Sequence, residues 1–312
     1  MKAATNEVGR KDPTLADWLV AARFKFLPQG VMPVAIGAAL AYADGTFSWL
    51  TFILTFIASA CVQVGLTMLN DTLDYSYGTD KLKLHEKNPY SGGSGAFAEG
   101  RIDPKSSLKV IIGLYVVALL IAIYFTITVG WVVLLIAITG AAISAIYSVR
   151  PFHLAYRGLG ELAMLVGYGP IITMFAYYTQ TGIFSWDSVW VGIIPGFCMF
   201  TMILINSMPD AAEDKKANKK NICYRLGVKN TKNLYLVCLG LIFVYVLLLV
   251  VLSILSFWCL LVCLGLPLAI AAGFYAQKYY NNPINLSYSN KYMVFLYSFT
   301  TGATALGILL GV

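Results

Sequence analysis

The stretch Asn70-Asp71-Thr72-Leu73-Asp74-Tyr75-Ser76-Tyr77-Gly78-Thr79-Asp80 follows directly on an apolar run that fills residues 49–69. A run of that length and composition is suited to crossing the roughly 30 Å hydrocarbon core of a bilayer. In lipid it must be helical, because an open strand would leave its backbone N–H and C=O groups unpaired. The carboxylates begin where the apolar run stops. Asp71 and Asp74 are three residues apart, so they share one face if the helix continues through them. Gly78 then lets the chain turn before Asp80. The stretch reads as the end of a membrane helix that carries a charged site.

The same apolar pattern recurs along the chain. Nine segments qualify: 24–43, 49–69, 108–128, 131–148, 159–180, 189–208, 234–254, 257–276 and 293–312. They predict an all-α, polytopic membrane protein, a bundle of nine transmembrane helices. Pro33, Pro170, Pro195 and Pro267 fall inside segments, where neighbouring helices tolerate a kink. Composition agrees: of 312 residues, 59% are hydrophobic and 12% charged, against about 25% charged in soluble domains. The expected organisation is a polar cytoplasmic segment at 1–22 followed by a single membrane domain at 23–312. Residues 1–18 lack the apolar core and cleavage site of a signal peptide. The six cysteines show neither metal-ligand spacing nor a disulfide framework and read as small apolar residues.

Charge sets the expected orientation. All 22 Lys and Arg fall in the N-terminal region or in and beside the connections after the second, fourth, sixth and eighth segments. The connections on the other face carry only Asp44 and Asp187 as charges. The positive-inside rule places the N-terminus in the cytoplasm and the C-terminus outside, in a multi-pass protein of the cell membrane with its acidic sites facing the cytoplasm. The net charge of +7 suits lipid headgroups and an anionic substrate rather than nucleic acid.

A second acidic site ends the sixth segment. Asp210 and Asp214 are four residues apart on one helical face, with Asn206 one turn earlier. Clustered carboxylates repel one another and are costly beside a membrane. A divalent cation relieves both problems, and Mg²⁺ takes oxygen ligands from a carboxylate or two, substrate phosphates and water. Two such clusters on one side of a bundle point to a diphosphate held between metal ions, with Lys81, Lys83, Lys219 and Arg225 meeting the remaining phosphate charge. The metal candidates are Asp71, Asp74, Asp80, Asp210 and Asp214, and the first two with the last two are also the candidate catalytic carboxylates. Asn70 and Asn206 are candidates for positioning the diphosphate or metal-bound water. In the stretch 147–161, Arg157 and Glu161 are spaced to pair with each other or to contact substrate, and His153 reads as a loop residue. The glycine-rich loop at 88–95 reads as a linker or as backbone able to close over a phosphate. A transporter is disfavoured, since the acids lie at helix ends and no inverted repeat is evident. A non-catalytic scaffold is disfavoured by the two matched sites.

On these residues the chain resembles the UbiA superfamily of intramembrane aromatic prenyltransferases, over nearly its whole length from Arg23. The resemblance rests on Asn70-Asp71-x-x-Asp74 and Asp210-x-x-x-Asp214 together with nine helices. Within the superfamily the chain is most similar to the 1,4-dihydroxy-2-naphthoate prenyltransferases of the menaquinone pathway, through the six-residue step from Asp74 to Asp80. Further matches are Arg23 with Leu27-Pro28, Gln63, the run Tyr156–Glu161, and Lys219 with Arg225-Leu226-Gly227. Ser207 and Pro209 stand where that branch commonly has Asn and Arg, which leaves other quinone precursors or lipids open as acceptors. The resemblance implies Mg²⁺-dependent transfer of a polyprenyl group from its diphosphate to an aromatic ring, with loss of the carboxyl group in the naphthoate case. No obligate protein partner is implied. Tyr147, Tyr168, Tyr177 and Tyr178 are candidates for facing the allylic cation.

Overall fold

The computed structural model of the chain describes residues 12–78, 88–148 and 151–312. Every regular element among them is helical. A short helix, α1 (Leu15–Ala21), starts with a capping box in which Thr14 accepts from the Asp17 N–H and Asp17 reaches back to Thr14, satisfying two otherwise orphaned donors. A left-handed Arg23 (φ 48°) and a 3₁₀ turn at Phe24–Phe26 lead into α2 (Leu27–Ala43).

The long helices follow in antiparallel succession: α3 (Trp49–Ser76), α4 (Pro104–Thr128), α5 (Val132–Ser148), α6 (Gly160–Val166) continuing into α7 (Ile172–Thr181), and α8 (Trp186–Ser207). After the short α9 (Ala211–Lys216) come α10 (Ile222–Val251), α11 (Leu266–Tyr279) entered through a 3₁₀ segment at Phe257–Gly265, and α12 (Ser287–Leu310). Among the described residues, eight helical segments are long and apolar enough to cross a membrane, and Val132–Ser148 is a shorter apolar helix of 17 residues.

Helices α2, α8 and α12 pack on one another at the centre, while α4 and α10 present Leu119, Leu120, Val244 and Leu248 outward. Proline shapes the passage from α6 to α7. Pro170 lacks the N–H that a regular α-turn needs, and the chain passes through a π-turn at Gly167–Ile171. That turn lies against α8 because glycines meet there: a Cβ on Gly169 would stand 2.6 Å from Gly196 Cα. Small residues permit such backbone contact in membrane bundles.

Several helices run past the segments that hydropathy marks, three of them by about two turns or more. Helix α3 continues to Ser76, so Asp71 and Asp74 are helical. Helix α10 begins at Ile222 rather than 234 and breaks at Gly227 (φ 76°, ψ 159°), and α12 begins at Ser287 rather than 293. Hydropathy registers the turns bathed in lipid, and these extensions are polar turns that build one end of the bundle.

Candidate active site

At that end Asp71 and Asp74 are nearly inaccessible, at 2% and 5% exposure. Their burial is compensated by hydrogen bonds, as buried charge requires. The Ser94 N–H donates to both Asp71 oxygens, at 2.8 and 3.0 Å, and the Ser94 hydroxyl donates to Oδ2. Tyr156 OH donates to Asp74 Oδ1 at 3.1 Å, and Asn70 Nδ2 donates to Oδ2 at 3.4 Å.

The loop that supplies Ser94 also reaches the second motif, where the Gly92 N–H donates to Asp210 Oδ2 at 2.6 Å. This loop is pinned at its base. Asn88 Nδ2 donates to the Pro283 carbonyl at 2.9 Å and to Asn290 Oδ1 at 3.0 Å, and Lys25 Nζ donates to the Pro89 carbonyl. Asn290 in turn donates to Asn206 Oδ1 at 2.7 Å. The glycine-rich loop therefore clasps both acidic sites, with the Ser94 hydroxyl and with backbone N–H groups that composition alone does not reveal.

Asp214 is 3% exposed on α9 and accepts from Asn221 Nδ2 at 2.6 Å. Between α9 and α10 the chain turns through a left-handed Asn218 (φ 54°), which carries Lys219 inward. Its ammonium stands 3.7 Å from Asp74 Oδ2 and 3.7 Å from Asp214 Oδ1. Each pair has a gross attraction of about 4 kcal/mol at an effective dielectric near 20, largely offset by desolvation of the ammonium. Burial alone would lower the Lys219 pKa, but Asp74 and then Asp214 outweigh it and hold the group well above the ordinary lysine range. One cation thus joins two motifs that lie on different helices.

These groups surround a cavity of about 170 Å³ lined by Asn70, Asp74, Asn206, Asp210, Asp214 and Lys219, with Arg23, Gln29, Gln63 and Glu161 on its walls. Beyond it lies an apolar chamber of about 440 Å³ between α3, α4, α5 and the α6–α7 segment. Gln63, Leu66, Tyr147, Met164 and Tyr168 line both spaces. A molecule with a charged head and a hydrocarbon tail fits the pair end to end.

Other expected residues are placed elsewhere. Arg225 is exposed and braces backbone: Nη2 donates to the Arg157 carbonyl at 2.7 Å and Nε to the Lys220 carbonyl at 3.2 Å. Gly158 (φ 76°) makes room for it, since a Cβ there would meet Arg225 Nε at 2.5 Å. Exposed Arg157 donates to the Pro151 carbonyl at 2.7 Å, while Glu161 accepts from the Ile222 N–H. His153 stacks on Tyr156 at 3.7 Å between ring centroids. Of the four tyrosines, Tyr147 and Tyr168 line the cavity. Tyr177 lies at the opposite end and donates to Asp44 at 2.5 Å, and Tyr178 packs with Phe125 and Ile136. Asp80, Lys81 and Lys83 lie outside the described residues. Tyr156 belongs to the run 156–161 that carries the resemblance, whereas Ser94, Asn221 and Asn290 are contributors that only the structure reveals. Their short polar side chains carry no spacing signal until the chain is folded.

The donor set suits a hard cation. The cavity offers carboxylate and amide oxygens without Cys or His, and an ammonium already sits between carboxylates. Among the described residues, no three His, Cys, Asp or Glu side chains form a closed metal cage. An ion here would complete its shell with phosphate oxygens and water, the habit of Mg²⁺.

Residues 30–307 match the profile of the UbiA prenyltransferase family. The chain belongs to the UbiA prenyltransferase family. As such it is a prenyltransferase and a multi-pass membrane protein. This UbiA chain is similar to the 1,4-dihydroxy-2-naphthoate octaprenyltransferase of Bacillus subtilis, at 25% identity over 79% of this chain and 77% of that one. It is also 30% identical to the enzyme of that name from Haemophilus influenzae, over 67% and 69% of the two chains. Among solved structures, the UbiA homologue from Aeropyrum pernix superposes with a TM-score of 0.68 at 15% identity, covering 91% of this chain and 97% of that one. The UbiA homologue from Archaeoglobus fulgidus bound to GPP and Mg²⁺ gives 0.56 at 14% identity, covering 94% and 99%. The shared helical fold matches the expectation read from residues 70–80.

Proposed function

We propose that this prenyltransferase moves a polyprenyl group from its diphosphate to an aromatic acceptor of the 1,4-dihydroxy-2-naphthoate type, as in menaquinone biosynthesis, with Mg²⁺ as cofactor. The observation that carries the reading is Lys219 bridging Asp74 and Asp214 in a polar cavity that shares five lining residues with an apolar chamber. Two distant acidic motifs and one cation face a single space, the arrangement a diphosphate with a long hydrocarbon tail requires. Names borne by the relatives, and the GPP and Mg²⁺ of the Archaeoglobus homologue, support the same reading.

In this proposal Asp71, Asp74 and Asp80 hold one metal ion and Asp210 and Asp214 the other, with Asn70 and Asn206 orienting the head group. When bound, Mg²⁺ neutralises the leaving diphosphate and so stabilises the charge that develops on it. Lys219 adds a fixed positive charge at the same oxygens. The apolar chamber takes the isoprenoid tail, at about 0.8 kcal/mol per buried CH₂, and excludes water from the allylic carbon. Tyr147 and Tyr168, at the junction of the two spaces, present electron-rich faces to that carbon. The carbon–oxygen bond breaks with its electron pair going to diphosphate. A ring carbon of the acceptor forms the new bond and regains aromaticity by releasing a proton, or its carboxyl group as CO₂. The membrane domain spans residues 23–312 in this reading. The acidic end faces the cytoplasm, where the positive-inside rule puts it.

The test is turnover by purified protein with Mg²⁺, a prenyl diphosphate and a panel of aromatic acceptors. Prenylated naphthoquinol precursor is the expected product. Full activity in both Asp71→Ala and Asp210→Ala would refute the metal-site reading.

A further inference from the structure

Of the carboxylates lining the cavity, the diphosphate chemistry leaves Glu161 and Glu213 unused, and Glu161 is the buried one. Glu161 is 2% exposed and lines the polar cavity. Its Oε1 accepts from the Ile222 N–H at 2.8 Å, at the start of α10. Its Oε2 is buried and has no hydrogen-bond partner among the described residues. A buried oxygen without a donor costs roughly 1–3 kcal/mol, so its retention on a cavity wall calls for a ligand that supplies one.

The position narrows that ligand. Glu161, Met164 and Tyr168 follow one face of α6 and the turn after it, at helical spacings of three and four. Met164 and Tyr168 line both the polar cavity and the apolar chamber. The carboxylate therefore stands one turn from the junction, where the bond between diphosphate and allylic carbon would lie. A diphosphate brings only acceptor oxygens and negative charge, which a carboxylate repels. An isoprenoid tail brings no polar hydrogen at all. Of the molecules that the proposed reaction brings together, the aromatic acceptor is the one with O–H groups.

We propose, resting on the prenyltransferase reading above, that Glu161 is the acceptor-binding residue, its Oε2 receiving the hydrogen bond of a ring hydroxyl. Held there, the hydroxyl points the electron-rich ring at the allylic carbon and feeds density into it. The O–H bond stays intact, and the new carbon–carbon bond forms from the ring's own π pair. The site thereby selects phenols and naphthols over ethers and unsubstituted rings.

The experiment compares 1,4-dihydroxy-2-naphthoate with its two mono-O-methyl ethers, using geranyl diphosphate and Mg²⁺, in wild-type protein and Glu161→Gln. Glutamine keeps an oxygen for the Ile222 N–H, and the ligand series on wild-type protein needs no variant. In wild type, one ether should raise the acceptor KM about 10- to 100-fold, the worth of a hydrogen bond to a charged group. In Glu161→Gln that penalty should vanish or reverse, because the amide N–H can donate to the ether oxygen. The KM for geranyl diphosphate and the Mg²⁺ requirement should stay unchanged. An equal ether penalty in both proteins would overturn the proposal, as would a change confined to Mg²⁺ or diphosphate, which would mark Glu161 as a metal-site residue. Wild-type protein that prenylates no aromatic diol would overturn the proposed function and this assignment with it.

Discussion

The backbone N–H of Ser94 reaches both carboxylate oxygens of Asp71, at 2.8 and 3.0 Å, across 23 positions of sequence. Two residues earlier in the same loop, the Gly92 N–H reaches Asp210 Oδ2. The loop is therefore a structural tie between the acidic motifs. Ser94→Ala removes the hydroxyl that also serves Asp71 and leaves the backbone donor. It should raise the Mg²⁺ concentration for half-maximal turnover by about 10-fold, the weight of one hydrogen bond to a charged group. A Mg²⁺ titration of initial rates checks this. Ser94→Pro, which deletes the N–H as well, should be the more damaging change.

Lys219 makes the opposite kind of prediction. Removing it in Lys219→Met leaves Asp74 and Asp214 facing one cavity without their shared cation. Breaking a buried ion pair in this way costs about 3–5 kcal/mol. The variant should melt earlier than wild type in detergent. Added Mg²⁺ should recover more of its melting temperature than it adds to wild type, since the metal replaces lost positive charge. Equal Mg²⁺ responses in a thermal-shift assay would contradict the bridging role.

Chelation should abolish turnover in wild type, and Mg²⁺ should restore it better than Ca²⁺. Mg²⁺ demands a compact octahedral shell, whereas Ca²⁺ prefers more and longer oxygen contacts. Rates after EDTA treatment and readdition of each ion measure the difference.

Filling the apolar chamber should shorten the accepted tail. Ala137 lines it, and Ala137→Phe places a ring in its path. The variant's kcat/KM should fall about 10-fold further for long polyprenyl diphosphates than for short ones, the size of effect that modest steric changes in apolar pockets produce. A chain-length series from two to eight isoprene units provides the readout.

At the helix contact between Gly169 and Gly196, an alanine Cβ on Gly169 would meet Gly196 Cα at 2.6 Å. Gly169→Ala should destabilise the protein by about 1–3 kcal/mol through overpacking. A lower melting temperature with unchanged KM for both substrates is the expected pattern, because Gly169 lies outside the lining of either space.

How much of this was legible beforehand varies by residue. Asp71, Asp74, Asp210 and Asp214 stood out because carboxylates at the end of an apolar run are expensive, and expense marks purpose. Lys219 stood out as a neighbouring cation, though its place between Asp74 and Asp214 depends on the left-handed turn at Asn218. Arg225 was legible as a charge, yet its hydrogen bonds go to the carbonyls of Arg157 and Lys220. Exposure and local turn geometry decide that, and neither follows from charge. Tyr177 and Tyr168 look alike in sequence, but they end at different depths of the bundle because about two and a half helical turns separate them.

The chain's own sequence determined the membrane-embedded helical class, the location of the acid motifs at helix ends and the one-sided distribution of Lys and Arg. Those properties follow from local composition: lipid requires backbone groups to be satisfied within each segment, and charge stays where lipid ends. Tertiary structure alone decided that loop 88–95 ties Asp71 to Asp210, that Lys219 spans the two motifs, and that the polar cavity adjoins an apolar chamber. It also left Glu161 Oε2 buried without a donor among the described residues. These are relations between segments far apart in the chain. They arise from the angles and close contacts of packed helices, which no local pattern of residues specifies.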